Sequence, residues 1–157
     1  MIKIVVIGAG GRMGKTIVTC TDDTDGVSVI GGTEYSGHSA IGSDLGVLAG
    51  VGRKDIFIVE NIEDALTDCD VIIDFTTPES SIRTLNTAVS YEKSIVIGTT
   101  GFSAEQKNKI SEAAEKIRCV FAPNMSIGVN VLFKVVADVS KALGDAYDVE
   151  IVEAHHK

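Results

Sequence analysis

Residues 2–14 read Ile-Lys-Ile-Val-Val-Ile-Gly-Ala-Gly-Gly-Arg-Met-Gly and are the most informative part of the sequence. The apolar, β-branched run at 2–7 predicts a fully buried strand. It leads directly into a glycine-rich turn at 8–14, and residues 15–20 contain no Gly or Pro and continue as a helix. A strand, a tight turn and a helix N-terminus together form a cradle for a pyrophosphate, because backbone N–H groups point at the phosphates and missing Cβ atoms allow close approach.

The glycine spacing departs from the usual dinucleotide-binding pattern. Met13 occupies the third glycine position of G-x-G-x-x-G, and the spacing that fits is G-x-x-G-x-x-G, with Gly8, Gly11 and Gly14. The context that the motif requires is present, since a second strand is predicted at 27–33 and Glu34 stands at its end. A carboxylate there accepts hydrogen bonds from the adenine-ribose hydroxyls. The sequence therefore predicts a dinucleotide site.

Composition limits the class of protein. A chain of 157 residues suits one domain with at most the beginning of a second. No apolar run is long enough to cross a membrane, and a strand at the N-terminus leaves no place for a signal peptide, so we expect a cytoplasmic protein without a membrane partner. A net charge of −8 argues against nucleic acid as a partner. The three cysteines, Cys20, Cys69 and Cys119, are expected to be buried thiols, with no metal site and no disulfide.

Strand-like and helix-like segments alternate, which predicts an α/β, Rossmann-like, doubly wound parallel sheet. After the first strand and helix, strands are predicted at 27–33, 56–59, 71–75, 94–97 and 118–121, and helices at 62–66, 78–91, 104–117 and 127–143. Residues 35–52 are predicted as a long loop with a helical turn. A last strand is predicted at 147–154, and because a lone strand leaves its edge unsatisfied, the chain is expected to be truncated. We interpret residues 1–126 as a dinucleotide-binding domain, and residues 127–157 as a connecting helix and the first strand of a truncated α+β domain for substrate binding and oligomerisation.

In a doubly wound sheet, ligands bind beyond the carboxyl ends of the strands. Four loops lie there: 8–14, 75–78, 98–101 and 122–126. The two threonines at 99–100 suit a ribose or a carboxamide, or serve as ordinary turn caps. The segment Phe75-Thr76-Thr77-Pro78 either packs on a nicotinamide ring or simply ends a strand, and Asn124 and Ser126 either contact a ligand or cap the next helix.

The histidine pair near the C-terminus also has two interpretations. Alternation along an extended chain sends His155 and His156 to opposite faces, so they cannot jointly hold a metal. One of them could act as a general acid near neutral pH, or both could belong to an exposed tail.

Taken in order, the motifs resemble one family. They are Gly-Ala-Gly-Gly-Arg-Met-Gly at 8–14, Asp-Phe-Thr-Thr-Pro-Glu at 74–79, Gly-Thr-Thr-Gly at 98–101, Ala-Pro-Asn-Met-Ser-Ile-Gly-Val-Asn at 122–130 and Glu-Ala-His-His at 153–156. This combination closely resembles the dihydrodipicolinate reductase family of the diaminopimelate route to lysine, and the resemblance covers the whole chain.

The resemblance implies an oxidoreductase that reduces 4-hydroxy-tetrahydrodipicolinate (dihydrodipicolinate) to tetrahydrodipicolinate by passing a hydride from the nicotinamide C4 of NAD(P)H. It implies that His155 supplies a proton and that His156 contacts a substrate carboxylate. The cofactor-binding residues that it implies are Gly8, Ala9, Gly11, Arg12, Met13, Gly14, Glu34, Phe75, Thr76, Gly98, Thr99, Thr100, Ala122, Pro123, Asn124 and Met125.

The chain also departs from the family pattern, whose catalytic lysine and Ser-Gly-Thr loop lie beyond Lys157. We therefore expect the chain alone to bind cofactor but to turn over little of its small-molecule substrate, and the full-length enzyme to be a homotetramer. NADH is expected to be preferred, with NADPH also accepted, because Glu34 is followed by Tyr35 and not by an arginine. A non-catalytic nucleotide-sensing Rossmann module remains the alternative, and another small-substrate dehydrogenase ranks below it for lack of the His-His pair.

Overall fold

The computed structural model describes residues 1–152 and 154. Contacts between residues divide the chain into two units, Met1–Pro123 and Asn124–Lys157. None of the helices in these described ranges combines the length and the apolar character needed to span a bilayer.

The first unit is built on a parallel five-stranded sheet with the strand order β2-β1-β3-β4-β5. The strands are β1 Ile2–Ile7, β2 Val27–Thr33, β3 Val71–Asp74, β4 Ser94–Ile97 and β5 Cys119–Phe121. The helices of this unit are α1 Arg12–Asp22, α2 Leu45–Ala49, α3 Pro78–Ser90 and α4 Ala104–Ala114, with a 3₁₀ turn at Ile62–Ala65. This is the doubly wound α/β architecture that the alternation of segments predicts.

The predicted strand at 56–59 is reduced to two isolated bridges. Val59 pairs in parallel with Thr33, and Phe57 pairs antiparallel with Asp44. A full strand does not form because the backbone of Ile58 is hydrogen-bonded to the preceding loop, where its N–H donates to the Ser43 carbonyl at 3.1 Å. Val59 nevertheless extends the sheet beyond β2, and with it the spatial order becomes the 3-2-1-4-5-6 order of dinucleotide-binding folds.

Two apolar layers cover the two faces of the sheet. Successive residues of β1 point to opposite faces, so Val5 packs in one layer and Val6 in the other, and both are fully buried. Leu85 of α3 lies in the Val5 layer, and Leu45 of α2 lies in the Val6 layer. Each such side chain stabilises the fold by about 1.5–3 kcal/mol, which explains why a continuous apolar run is the signature of this strand.

Local capping sets where the helices next to the site begin. Thr77 is the N-cap of α3 and accepts a hydrogen bond from the Ser80 N–H, while Pro78 occupies the first turn. Ser103 and Gln106 form the predicted capping box at the start of α4, with hydrogen bonds of 2.9 and 3.2 Å. These caps fix the loops after β3 and β4, which carry candidate site residues.

The second unit contains α5, Ile127–Leu143, which ends at Gly144 as predicted, and a 3₁₀ turn at Gly144–Ala146. The strand predicted at 147–154 is not formed, since the described residues there, 147–152 and 154, belong to no helix or strand. A strand needs hydrogen bonds from a neighbouring strand, and the described part of this unit offers none.

The cysteines require one correction. Cys69 is buried and Cys119 is partly buried, and burial raises the pKa of both thiols. Cys20, which we expected to be buried, is exposed. It lies on the solvent face of α1, whose buried positions are Gly14, Val18 and Thr21.

Candidate functional site

The glycine turn after β1 has a backbone that other residues cannot easily adopt. Gly8 has a φ of +69°, in the left-handed region that favours glycine, and its N–H donates to the Thr33 carbonyl at 2.9 Å. The Gly11 N–H donates back to the Gly8 carbonyl at 3.0 Å and closes the turn. A Cβ at Gly14 would overlap the Gly8 carbonyl oxygen, so α1 packs directly on the turn. The geometry uses the three glycines that the spacing singled out.

The first turn of α1 presents free backbone donors. The N–H groups of Arg12, Met13 and Gly14 donate to no residue within the described part of the chain. Gly11 is the N-cap and has no side chain to satisfy them. Free donors at the positive end of a helix dipole bind an anion, and the glycine turn beside them leaves room for its approach. The cradle therefore fits a pyrophosphate.

Glu34 is tied to this turn. The residue is buried, with 8% of its surface exposed, and Oε1 accepts a hydrogen bond from the Gly10 N–H at 3.0 Å while Oε2 accepts from the Tyr35 N–H at 3.3 Å. A Cβ at Gly10 would lie 2.9 Å from the Ala40 Cβ and 3.2 Å from Glu34 Oε1. Only glycine at this position lets the carboxylate reach the turn.

His38, which we did not single out from the sequence, packs against the same turn. Its Cε1 lies 3.1 Å from the Cβ position of Gly10, and its Nδ1 accepts a hydrogen bond from the Ala40 N–H at 3.1 Å. In the neutral ring this leaves Nε2 as the donor. The Tyr35 ring meets the imidazole edge to face, with centroids 4.9 Å apart. No motif marks His38, because the loop that carries it has little periodicity.

The end of β3 is fastened to the glycine turn through Asp74. This carboxylate is fully buried, and Oδ1 accepts hydrogen bonds from the N–H and the hydroxyl of Thr76 at 2.9 and 2.6 Å. Oδ2 has no partner among the described residues. The Thr76 methyl lies 2.8 Å from the Cβ position of Gly8. Asp74 thus holds Thr76 over the turn.

The loop after β4 interlocks with the loop after β3. The Gly98 N–H donates to the Asp74 carbonyl at 2.9 Å, and the Phe75 ring occupies the space where a Cβ of Gly98 would be. The hydroxyl of Thr99 is buried against that of Ser81, 2.8 Å away. The ring of Phe75 is therefore used in packing and the Thr99 hydroxyl within the protein, whereas Thr100 is exposed.

A cavity of about 640 Å³ opens at this edge of the sheet. One wall comes from the ends of β1 and β2 and from Thr76, a second from residues 60–63 at the start of the 3₁₀ turn, and a third from one face of α3. The polar residues of these walls include Glu34, Tyr35, Glu60, Asn61, Glu63, Thr76, Ser80, Arg83, Thr84 and Thr87. The sequence did not reveal the α3 residues, because the sequence of a helix does not show which distant loop its face will pack against.

The remaining predicted residues fall elsewhere. Ala122 and Pro123 follow β5 at the end of the first unit, and Asn124 and Met125 begin the second. In that unit the Asn124 side chain accepts a hydrogen bond from the N–H of Ser126 at 2.8 Å, so it shapes the turn before α5. His155 and His156 lie outside the described residues.

A parallel sheet with this strand order, a glycine turn and an acid at the end of β2 define a doubly wound α/β domain of the dinucleotide-binding class. The family model described as Dihydrodipicolinate reductase, N-terminus, matches residues 2–125. The chain belongs to the dihydrodipicolinate reductase family.

Similar proteins agree with this assignment. The 4-hydroxy-tetrahydrodipicolinate reductase of Geotalea uraniireducens is 50% identical over 157 residues, which is 100% of this chain and 59% of that protein. The reductase of the same name from Geotalea daltonii is 48% identical over 156 residues, covering 99% of this chain and 58% of that one. A dipicolinate-bound dihydrodipicolinate reductase from Paenisporosarcina sp. TG-14 shares the fold, with a TM-score of 0.72 at 23% identity over 88% of this chain and 53% of that chain. The chain thus spans about 59% of the length of these curated relatives.

Proposed function

We propose that this chain is the cofactor-binding part of a cytoplasmic 4-hydroxy-tetrahydrodipicolinate reductase, an NAD(P)H-dependent oxidoreductase of diaminopimelate and lysine biosynthesis. The observation that carries the proposal is the glycine turn, with three N–H groups at the start of α1 that donate to none of the described residues, and the Glu34 carboxylate hydrogen-bonded to the same turn. That arrangement provides a pyrophosphate site and a ribose site side by side. The identity of about half with reductases over the whole chain supports the choice of reaction.

The adenosine and pyrophosphate half of the cofactor is assigned to the better defined part of the site. When bound, NAD(P)H supplies the hydride that reduces the cyclic substrate. Glu34 accepts hydrogen bonds from the adenine ribose, because its carboxylate retains acceptor capacity beyond the two backbone N–H groups that it already binds. The residues that we assign to the pyrophosphate are Gly8, Ala9, Gly11, Arg12, Met13 and Gly14.

The nicotinamide half is assigned to the loops after β3, β4 and β5. The hydrogen bonds of Asp74 hold Thr76, and the packing of Phe75 on Gly98 joins the first two of these loops into one wall. The residues that we assign to this side are Phe75, Thr76, Gly98, Thr99, Thr100, Ala122, Pro123, Asn124 and Met125. Of these, Phe75 and Thr99 act through the shape of the loops, because the Phe75 ring packs on Gly98 and the Thr99 hydroxyl is bonded to that of Ser81. For the reaction itself, we assign the proton donor to His155 and a substrate-carboxylate contact to His156, on the family resemblance.

We further propose that NADH binds more tightly than NADPH. Three carboxylates line the cavity, at Glu34, Glu60 and Glu63, and the side chain after Glu34 is the neutral Tyr35. The 2′-phosphate of NADPH is repelled by this negative charge, whereas a free 2′-hydroxyl donates to it. We expect a difference of about 1–2 kcal/mol, the scale of one charge-assisted hydrogen bond.

The whole enzyme extends this proposal beyond the present chain. Residues 1–126 form the dinucleotide-binding domain, and residues 127–157 begin the substrate and oligomerisation domain of a homotetramer. Its partner is a small-molecule substrate, and a net charge of −8 disfavours nucleic acid.

The experiment that tests the reaction is a turnover assay with the cyclic substrate, followed by the loss of nicotinamide absorbance. We expect little turnover by residues 1–157 and full turnover when the chain is extended to the length of its relatives. An extended protein that binds NADH but reduces no substrate would contradict the proposed reaction and favour a non-catalytic nucleotide-sensing module.

A further inference from the structure

We propose that Arg83 of α3 is the cationic ligand of the ribose 2′-phosphate when this chain binds NADPH. The inference rests on the proposed function, since it assigns a role within the same dinucleotide site. It concerns a residue that carries no motif and lies 49 positions beyond Glu34 in the chain.

The helix geometry places Arg83 on the cavity. Ser80, Arg83, Thr84 and Thr87 have the spacing i, i+3, i+4 and i+7, so they share one face of α3. All four line the cavity that Glu34 and Tyr35 also line. The arginine therefore faces the space next to the acid that receives the adenine ribose.

The charges of the cavity single out the same residue. Among the described residues that line it, Arg83 is the one cation, against the carboxylates of Glu34, Glu60 and Glu63. A phosphate in such surroundings needs a cation, and a guanidinium offers paired N–H groups that match phosphate oxygens. Arg12 does not line this cavity. Arg83 is therefore the side chain that can offset the repulsion of the 2′-phosphate by the three carboxylates.

The guanidinium of Arg83 is also available. It makes no ion pair and no hydrogen bond with any residue that the structure describes, and the side chain is exposed. Arg53 and Lys54, by contrast, are each paired with an aspartate. Binding a phosphate at Arg83 thus requires no existing ion pair to break.

This contact accounts for a site that prefers NADH and still accepts NADPH. The carboxylates favour NADH over NADPH, and Arg83 reduces the difference in affinity between the two cofactors. A second way for an arginine to act here is stacking on the adenine ring, which would help both cofactors equally. The two roles differ in a measurable quantity, the ratio of the NADPH and NADH dissociation constants.

The test compares the affinities of the wild-type chain and three variants for NADH and NADPH by calorimetric titration at one low ionic strength. We expect Arg83→Gln to weaken NADPH binding about 10-fold, the loss of one charge-assisted contact, and to change NADH binding less than about twofold. Arg83→Lys keeps the charge and should recover most of the NADPH affinity. Arg118→Gln, which removes a charge from a cavity lined by other residues, should leave both affinities unchanged.

Equal weakening of both cofactors in Arg83→Gln would overturn the proposal in favour of adenine stacking, and unchanged affinities would remove Arg83 from the site. In either case NADH binding by the wild-type chain leaves the proposed function standing. A wild-type chain that binds neither cofactor would overturn the function and this inference together. Thermal unfolding of each variant shows that the comparison is between folded proteins.

Discussion

Replacing the carboxylate of Glu34 by an amide should change which cofactor the site prefers. In Glu34→Gln the side-chain oxygen can still accept from the Gly10 N–H, which lies 3.0 Å from Oε1. The new NH₂ group then faces the Tyr35 N–H, 3.3 Å from Oε2, and a donor meets a donor. Losing that hydrogen bond costs about 1 kcal/mol of stability, which is small against the stability of a domain.

The effect on binding has opposite signs for the two cofactors. NADH loses a charged acceptor for its ribose hydroxyls, worth about 1–2 kcal/mol, so its Kd should rise about 5- to 30-fold. NADPH loses repulsion of its 2′-phosphate, so its Kd should stay constant or fall. The preference for NADH is expected to disappear.

Parallel titrations of NADH and NADPH, read by nicotinamide fluorescence, measure both constants. Glu115→Gln is the matched control, because it removes the same charge from an exposed residue that lines a different cavity. Equal weakening of NADH and NADPH by Glu34→Gln would refute the assignment of this carboxylate to the ribose 2′ position.

Three further predictions each concern a single residue. In the extended enzyme, His155→Gln should lower kcat by about 10²–10⁴-fold with little change in NADH affinity, and a normal kcat would exclude it as proton donor. Gly98→Ala should destabilise the domain by about 1–3 kcal/mol in urea unfolding, because its Cβ overlaps the Phe75 ring. The Phe75→Leu/Gly98→Ala double variant should recover part of the lost stability. Unchanged stability in Gly98→Ala would show that the ring moves freely. Hydrogen bonds from backbone N–H groups, that of Val47 foremost, hold the pKa of Asp44 below 3.8. The charged carboxylate of Asp44 stabilises the fold above the unfolded-state pKa, and this contribution is lost as pH falls through the lower folded-state pKa. Asp44→Asn should therefore flatten the drop in Tm below about pH 4. A drop in Tm as steep as in the wild-type chain would contradict this.

Much of the sheet could be predicted from the sequence because its strands are buried on both faces. The limits of β1 at 2–7, β2 at 27–33 and β4 at 94–97 are confirmed residue for residue, as are those of α5. A continuous β-branched run between turn residues has few other interpretations. The capping box at Ser103 was equally readable, since both of its partners lie within four residues.

The predictions that were wrong share a different cause, since each concerns a feature that depends on a partner far away in the chain. Residues 56–59 have strand character, yet Ile58 bonds to a loop that the sequence does not mark. The strand predicted at 147–154 has no neighbouring strand in the described part of its unit, and the exposure of Cys20 depends on which face of α1 meets the sheet.

In the candidate site, too, features near one another in the sequence could be predicted, and those brought together by packing could not. The glycine turn and Glu34 were predictable because strand, turn, helix and acid occur within the first 34 residues. Arg83 was not, because only the packing of α3 brings it to the cavity of Glu34. His38 was missed for the same reason, since its approach to Gly10 is visible only in the folded loop.

Whether this chain binds the dinucleotide is tested most directly by a titration of NADH with residues 1–157 alone, followed by nicotinamide fluorescence in the absence of substrate. The N–H groups at the start of α1, which donate to none of the described residues, and the Glu34 carboxylate lie within the first unit. We therefore expect a saturable change in fluorescence without the rest of the enzyme. Fluorescence that stays unchanged with folded protein in the millimolar range would contradict it.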